Sequence, residues 1–243
     1  MFDWYWFFAF YLLVLHIKLA VHTIYIHRTI GHGLFVVSKP LEYVFRFILW
    51  TGGQLGPRWA ETYAGRHRKH HATSDGEEDP HSPYSMSLRE MCTQWKVDPE
   101  DAKKYCPEVS TPNDWMQRNM HEKYAKYGPW FLHLVALTLF GVIGLALSIL
   151  MRYLTKDWLA VFLGNYANHK YGFSYAGHRH PTDKSKNLFP LGILLAGEEL
   201  HNNHHNYPKE PKFSRYWFEF DLGYVYAKIL CYLGLLQIKK EQK

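Results

Sequence analysis

Apolar residues in this 243-residue chain gather into long runs separated by polar, proline-bearing stretches. Phe2 to about Ile26 is rich in aromatics and leucine, interrupted by His16, Lys18 and His22. At about 1.5 Å per residue it predicts a helix able to cross a hydrocarbon core of roughly 30 Å. Trp130 to Leu150 predicts the cleanest span, and Asp157 to about Phe173 a more polar one, with Met151 to Lys156 as a tight hairpin between them. Leu41 to Leu55 is too short and contains Arg46, so it predicts a re-entrant or interfacial segment. Tyr224 to Leu236 reads as an amphipathic surface helix. The expected fold class is all-α: one integral-membrane domain over residues 1–243, with multi-pass spans at about 2–26, 130–150 and 157–173. Residues 56–127 and 174–243 would form a helical cap on the cytosolic side.

Charge sets the expected orientation. No Lys or Arg precedes the first span, whereas Arg28, Lys39, Arg46, Arg58, Arg66, Arg68 and Lys69 follow it, and Arg152 and Lys156 fall in the later hairpin. Cations favour the cytosolic side, so the N-terminus is expected outside and the cap inside, as in a bacterial inner membrane. The formal charge of +6 suits anionic headgroups or CoA phosphates, although the same positive-inside bias explains much of it. A slightly negative mean hydropathy leaves room for a large polar part. Asp3, with no cation beside it, argues against a cleaved signal segment. Cys92, Cys106 and Cys231 lack metal-type spacing and suit a reducing compartment.

Histidines carry the candidate chemistry. They cluster as His27 with His32, His67 with His70 and His71, and His201 with His204 and His205. A helix advances about 100° per residue, so each i, i+3, i+4 triplet shares one face. The i, i+5 pair would lie about 140° apart on a regular helix, which predicts a helix end loosened by Gly31 and Gly33. A zinc site takes three or four protein ligands, so these clusters suggest two metals. Imidazole suits iron, zinc, copper and nickel. The HExxH protease signature is absent, the nearest string being His121-Glu122-Lys123-Tyr124-Ala125. Outside the clusters, His16, His22 and His133 read as structural hydrogen-bonded residues, and His121, His178 and His180 as solvated ones.

The order HxxxxH, HxxHH, HxxHH, with Glu78-Asp79-Pro80-His81-Ser82-Pro83 after the second box and Gly197-Glu198-Glu199-Leu200 before the third, resembles the membrane-bound fatty acid desaturases. Within that family it is most similar to the bacterial acyl-CoA, delta-9-type branch. The resemblance runs from about Tyr25 to about Tyr224 and includes Pro112-Asn113-Asp114-Trp115 and Trp217-Phe218-Glu219-Phe220-Asp221-Leu222-Gly223. It implies a di-iron site with His27, His32, His67, His70, His71, His169, His201, His204 and His205 as ligands and Asn165 acting through a water. Which histidine would serve which iron stays open. Asp79, Glu198 and Glu199 are candidates for orienting ligand imidazoles, although acidic residues at helix starts are also ordinary. Trp50, Gln54, Trp59 and Tyr63 are candidates for a substrate tunnel wall; relatives usually place a Trp where Tyr63 stands.

The resemblance further implies O2-dependent insertion of a cis double bond, of delta-9 type, into a long-chain acyl-CoA or acyl-lipid, with no catalytic residues beyond the metal ligands. No heme or iron-sulfur motif is present, so electrons are expected from a separate ferredoxin or cytochrome b5 system with its reductase. Membrane lipid is an expected neighbour and nucleic acid is not. Two rivals remain at this stage. One is a di-iron membrane hydroxylase of alkyl or lipid substrates. The other is a metal-binding or metal-transport protein, which should hold its ligands between broken helices near the bilayer midplane.

Overall fold

The computed structural model describes residues 3–93, 99–155, 161–175, 177–188 and 192–239. Helix α1 (Trp4–Val21) starts where the Asp3 carboxylate accepts a hydrogen bond from the Trp6 amide at 3.1 Å. It continues without a break into a π-helical segment, His22–Gly31. Together they make a 28-residue apolar run, long enough to cross a membrane. In the π segment, hydrogen bonds run from residue i+5 to residue i; the His32 amide bonds the His27 carbonyl at 3.1 Å. Residues five apart therefore lie one above the other, which brings His27 and His32 to the same side. The loosened helix end expected from the spacing is this wider turn. Gly31 is needed there, because a Cβ would sit 3.1 Å from the His67 ring and 3.2 Å from the Tyr63 ring.

Strand β1 (Phe35–Val37) follows, then α2 (Lys39–Gly52), α3 (Trp59–Thr73), α4 (Leu88–Thr93) and α5 (Pro99–Tyr105). Tyr25 from the π segment, Phe45 and Leu49 from α2, and Trp59 from α3 share one apolar core. Arg46 is fully buried on α2 and forks onto Asp114, with one arm at 2.9 Å. The charge that argued against a full crossing is thus satisfied by protein. Gly65 lets α3 and α5 close together: a Cβ there would lie 3.0 Å from the Ala102 backbone. His121, on a second π-helical stretch (Gln117–Lys123), is buried rather than solvated, and neither ring nitrogen has a hydrogen-bond partner among the described residues. His178 and His180 are exposed, as expected.

Helix α6 (Gly128–Tyr153) corrects the expected single span over 130–150. Gly141 has φ 67° and ψ −164°, a conformation open essentially only to glycine, and the helix turns back on itself there. His133 Nδ1 meets Ser148 Oγ at 2.9 Å, although fifteen residues of straight helix would separate them by about 22 Å. Phe140, beside the turn, packs on Phe7 and Phe10 of α1. A reversal therefore falls at Gly141, and the expected hairpin at Met151–Lys156 runs into residues outside those described. Smooth apolar periodicity concealed it, since one glycine among leucines and phenylalanines carries no polar marker. Lys156 and the first four residues of the expected 157–173 span lie outside the described residues. From 161 the chain is helical again, as a π-helical turn (Phe162–Tyr166) and α7 (Ala167–Lys170), and becomes extended at Tyr171, short of Phe173.

Helix α8 (His201–Asn206) and α9 (Leu222–Tyr232) complete the helices, with α9 capped by the Asp221 carboxylate. The helix expected to reach Leu236 stops at Tyr232, and Leu236–Ile238 forms strand β2, antiparallel to β1 with Phe35 opposite Ile238. The chain is thus mostly helical with one small two-stranded sheet. His16 on α1 reaches Tyr226 on α9, Nε2 to hydroxyl 2.7 Å, tying the C-terminal helix to the first.

Two predictions follow from these contacts. A His133→Cys/Ser148→Cys double variant should form an intramolecular crosslink with a short bifunctional thiol reagent, and its absence would mean that α6 is straight. Arg46 holds the Asp114 carboxyl down at about 2 through hydrogen bonding, against a usual 3.8. The folded state therefore gains from this pair fully above about pH 4, and the gain fades as pH falls towards 2. Asp114→Asn should lower the thermal midpoint at pH 7 in detergent micelles, with the gap to the parent protein closing on acidification. A constant gap across that range would contradict it.

Candidate metal centre

Four elements deliver the histidines. The π segment supplies His27, and the turn that closes it supplies His32. Helix α3 carries His67, His70 and His71, α7 carries His169, and α8 carries His201, His204 and His205. Their ligating nitrogens fall into two groups, each with all atoms within 4.8 Å of one another: His27, His32, His67, His71 and His204 in one, and His70, His169, His201 and His205 in the other. Each HxxHH box therefore divides between two centres. On α3, His67 and His71 turn to the first group and His70 to the second; on α8, His204 turns to the first and His201 and His205 to the second.

The contacts are nitrogen to nitrogen. In the first group Nε2 of His27 lies 2.9 Å from that of His204, His204 3.0 Å from His71, His71 3.2 Å from His67, and His67 2.7 Å from His32. In the second, His70 lies 3.2 Å from His205 and His169 3.1 Å from His201. Burial pulls His67, His71, His201, His204 and His205 well below the usual imidazole range, reinforced by the neighbouring histidines. For His70 burial acts the same way, but Asp79, with Asp75 and Asp183, outweighs it and leaves the group raised. Neutral imidazoles are the metal-binding form.

This donor set fits metal ions. A ring nitrogen holds either a proton or a lone pair, so the run of Nε2 contacts from His32 to His27 needs donors and acceptors to alternate. The alternation is constrained at His27, whose Nδ1 gives its proton to Glu198 at 2.6 Å, and His204 Nδ1 has no partner among the described residues. One cation accepting the five Nε2 lone pairs satisfies those nitrogens together.

Carboxylates stand behind the ring. His70 Nδ1 donates to Asp79 at 2.9 Å, His169 Nδ1 to Asp75 at 2.7 Å, and His205 Nδ1 lies 3.3 Å from Asp183. Burial opposes ionisation of Glu198, yet the charge and hydrogen bond of His27, with Arg28 and Thr23, hold it down at about 2. Glu199 corrects an expectation: it accepts from the Leu195 and Gly197 amides and shapes the loop before α8, without touching a histidine. Burial pushes its carboxyl up. Asp75 and Asp183 were missed. Asp75 sits in a Ser-Asp-Gly turn with φ 56°, a conformation Asp tolerates, which was a readable signal. Asp183 lies in a polar loop with no local mark.

Among the tunnel candidates only Tyr63 adjoins the histidines, its ring stacked on His67 with centroids 5.4 Å apart. Trp59 is buried and donates to Gln117 at 3.1 Å, Trp50 donates to the Tyr124 carbonyl, and Gln54 is exposed. Asn165 is half-buried one turn before His169, and its side chain makes no hydrogen bond among the described residues. His22 meets Tyr63 edge-on.

A sequence model of the fatty acid desaturase family matches residues 3–228. The chain belongs to the fatty acid desaturase family. It is 28% identical over 223 residues to an acyl-CoA C20 Delta5-desaturase of Anemone leveillei, covering 88% of this chain and 67% of that protein. It is 29% identical to an sn-1 stearoyl-lipid 9-desaturase of Synechocystis sp., covering 88% and 65%, and 29% identical to an sn-2 palmitoyl-lipid 9-desaturase of Nostoc sp., covering 86% and 72%. The chain thus spans about two thirds of the length of these relatives.

In this desaturase-family chain the stretch around Trp217 braces the third box. Glu219 accepts from Asn203 Nδ2 at 2.8 Å, and Asp221 accepts both contacts from Arg28 Nη2 at 2.9 Å beside His27. Arg28 is fully buried, with Phe213 under its guanidinium at 3.9 Å. Loading with ferrous iron is expected to give two bound ions per chain. His204→Ala should lower that number, and His180→Ala, on an exposed loop, should not. One ion or none in the parent protein would refute this.

Proposed function

We propose that this chain catalyses O2-dependent desaturation of a long-chain saturated acyl group, as acyl-CoA or acyl-lipid, leaving a cis double bond of delta-9 type. The observation that carries the reading is the convergence of nine histidines into two groups in a chain of the desaturase family. Two iron ions, one held by His27, His32, His67, His71 and His204 and the other by His70, His169, His201 and His205, with Asn165 acting through water, would supply O2 activation and hydrogen abstraction. Loss of two hydrogens together with O2, two electrons and two protons balances as the double bond and two waters.

The protein's part is position and dryness. Asp75, Asp79, Asp183 and Glu198 fix the ring orientations through the Nδ1 protons, and Arg28 with Asp221 locks the π segment to the C-terminal loop. Seven of the nine histidines are buried and two half-buried, so bulk water is held off the centre. Tyr63, flat against His67, is suited to bound the acyl chain beside the five-histidine group.

In the same reading the N-terminal helix crosses the bilayer with its N-terminus outside, and the histidines face the cytosol of a bacterial cell. The reversal at Gly141 supports this orientation, because the turn Leu139-Phe140-Gly141-Val142 carries no cation whereas the segments after Gly31 are rich in them. A ferredoxin or cytochrome b5 system would deliver the electrons.

The test is mass spectrometry of total fatty acids from a host that makes no unsaturated fatty acids by desaturation, expressing the chain or its His204→Ala variant with a donor system. A new monoene made only by the intact chain is expected. A hydroxy acid instead, or no product from iron-loaded protein with either donor type, would overturn the proposal.

A further inference from the structure

The two histidine groups differ in what lies behind them. In the four-histidine group three rings are backed by carboxylates: His70 by Asp79, His169 by Asp75 and His205 by Asp183. Among the described residues only His27 of the five-histidine group has one, Glu198, and His204 Nδ1 is left without a partner.

The three aspartates are themselves fixed by neighbours other than histidine. Asp75 accepts from Ser82 Oγ at 2.7 Å and the Lys184 amide at 2.9 Å. Asp79 accepts from the Asp75 amide at 2.7 Å and the His81 amide at 3.0 Å. Asp183 accepts from Ser74 Oγ at 3.0 Å and the Ser185 amide at 2.9 Å. Ser74, Asp75, Asp79 and Ser82 belong to the turn after α3, and Asp183, Lys184 and Ser185 to the loop after α7. The two segments are also joined by the Thr182 hydroxyl donating to the Ser74 carbonyl at 2.6 Å. The anionic frame is therefore assembled by the protein's own bonds. His81 stacks on His70 with centroids 4.1 Å apart and holds that ring from the other side, its Nδ1 accepting from Arg66.

A carboxylate on the far nitrogen raises the basicity of a ligating imidazole and fixes its tautomer, and removing such a partner commonly lowers metal affinity about 10–100-fold. Three negative charges close to one cation site and one close to the other also make the electrostatic fields unequal. We infer that Asp75, Asp79 and Asp183 are positioning residues that make the four-histidine group the tight iron site, leaving the five-histidine group as the exchangeable one. This rests on the di-iron reading above and adds an order of occupancy to it.

The experiment uses the full chain in detergent micelles, loaded anaerobically with ferrous iron and then challenged with graded chelator, with retained iron read by elemental analysis. The expected result is release in two stages, one equivalent leaving at a chelator strength at least tenfold below the other. Asp79→Asn and Asp183→Asn should weaken the retained equivalent about 10–100-fold, Asp79→Glu should recover part of that loss, and Glu198→Gln should shift only the equivalent that leaves first. Single-stage release of both equivalents from the parent protein overturns the inference without touching the desaturase reading. So does a Glu198→Gln variant that loses the retained equivalent while Asp79→Asn keeps it. Failure of the parent chain to bind any iron sinks both.

Discussion

Nine imidazoles gathered away from bulk water set the terms for the rest of this structure. A neutral imidazole in the interior needs a partner for each nitrogen, and a charged one needs more. Nδ1 protons of His27, His70, His169 and His205 face carboxylates, and the Nε2 atoms face one another at 2.7–3.2 Å. Such a centre is coherent as a pair of cation sites. Much of the polar architecture nearby follows from that requirement, including the aspartates of the turn after α3 and the Glu198 carboxylate in the loop before α8.

Holding four short elements in register is the second demand. Helix α8 has six residues, fewer than two turns, and cannot keep its place by its own hydrogen bonds. Asn203 and Glu219 bind it to the loop ahead of α9, and Asn187 caps it by accepting from the Asn202 amide at 2.9 Å. Arg28 and Asp221 clamp the end of the π segment to that same loop. A buried pair of this kind adds little net stability by itself, but removing one partner strands the other charge, which makes it a strict fixing point. It lies one residue from His27, so the position of the first box depends on the C-terminal part of the chain.

The apolar part answers to a different solvent. Helix α1 exposes Tyr5, Trp6, Leu12 and Leu13, and α6 exposes Leu134, Leu139, Val142 and Ile143. Those surfaces suit lipid, while the ion pair of buried Arg46 with half-buried Asp114 lies where α2 meets the polar region. Gly141 allows the apolar hairpin to reverse within a residue or two, keeping polar loop out of the hydrocarbon.

Residue chemistry and local spacing by themselves determined the family resemblance, the mostly helical character, the apolar N-terminal helix and the eight histidines of the three boxes, because those depend on side-chain type and on neighbours a few residues apart; His169 followed only from the resemblance. The same signals explain why Asp79 and Glu198, close in sequence to the boxes, were readable. Only the tertiary structure decided how the boxes divide between two centres, since His67 and His70 share a helix face yet turn to different partners from α7 and α8. It alone placed Asp183 behind His205, assigned Glu199 to the loop instead of a ring, buried His121, and brought His133 to Ser148 across Gly141. Except for Glu199, whose partners are two and four residues away, each of these depends on elements tens to more than a hundred residues apart, or on one backbone angle inside a uniform apolar run, where the pattern of residue types is silent.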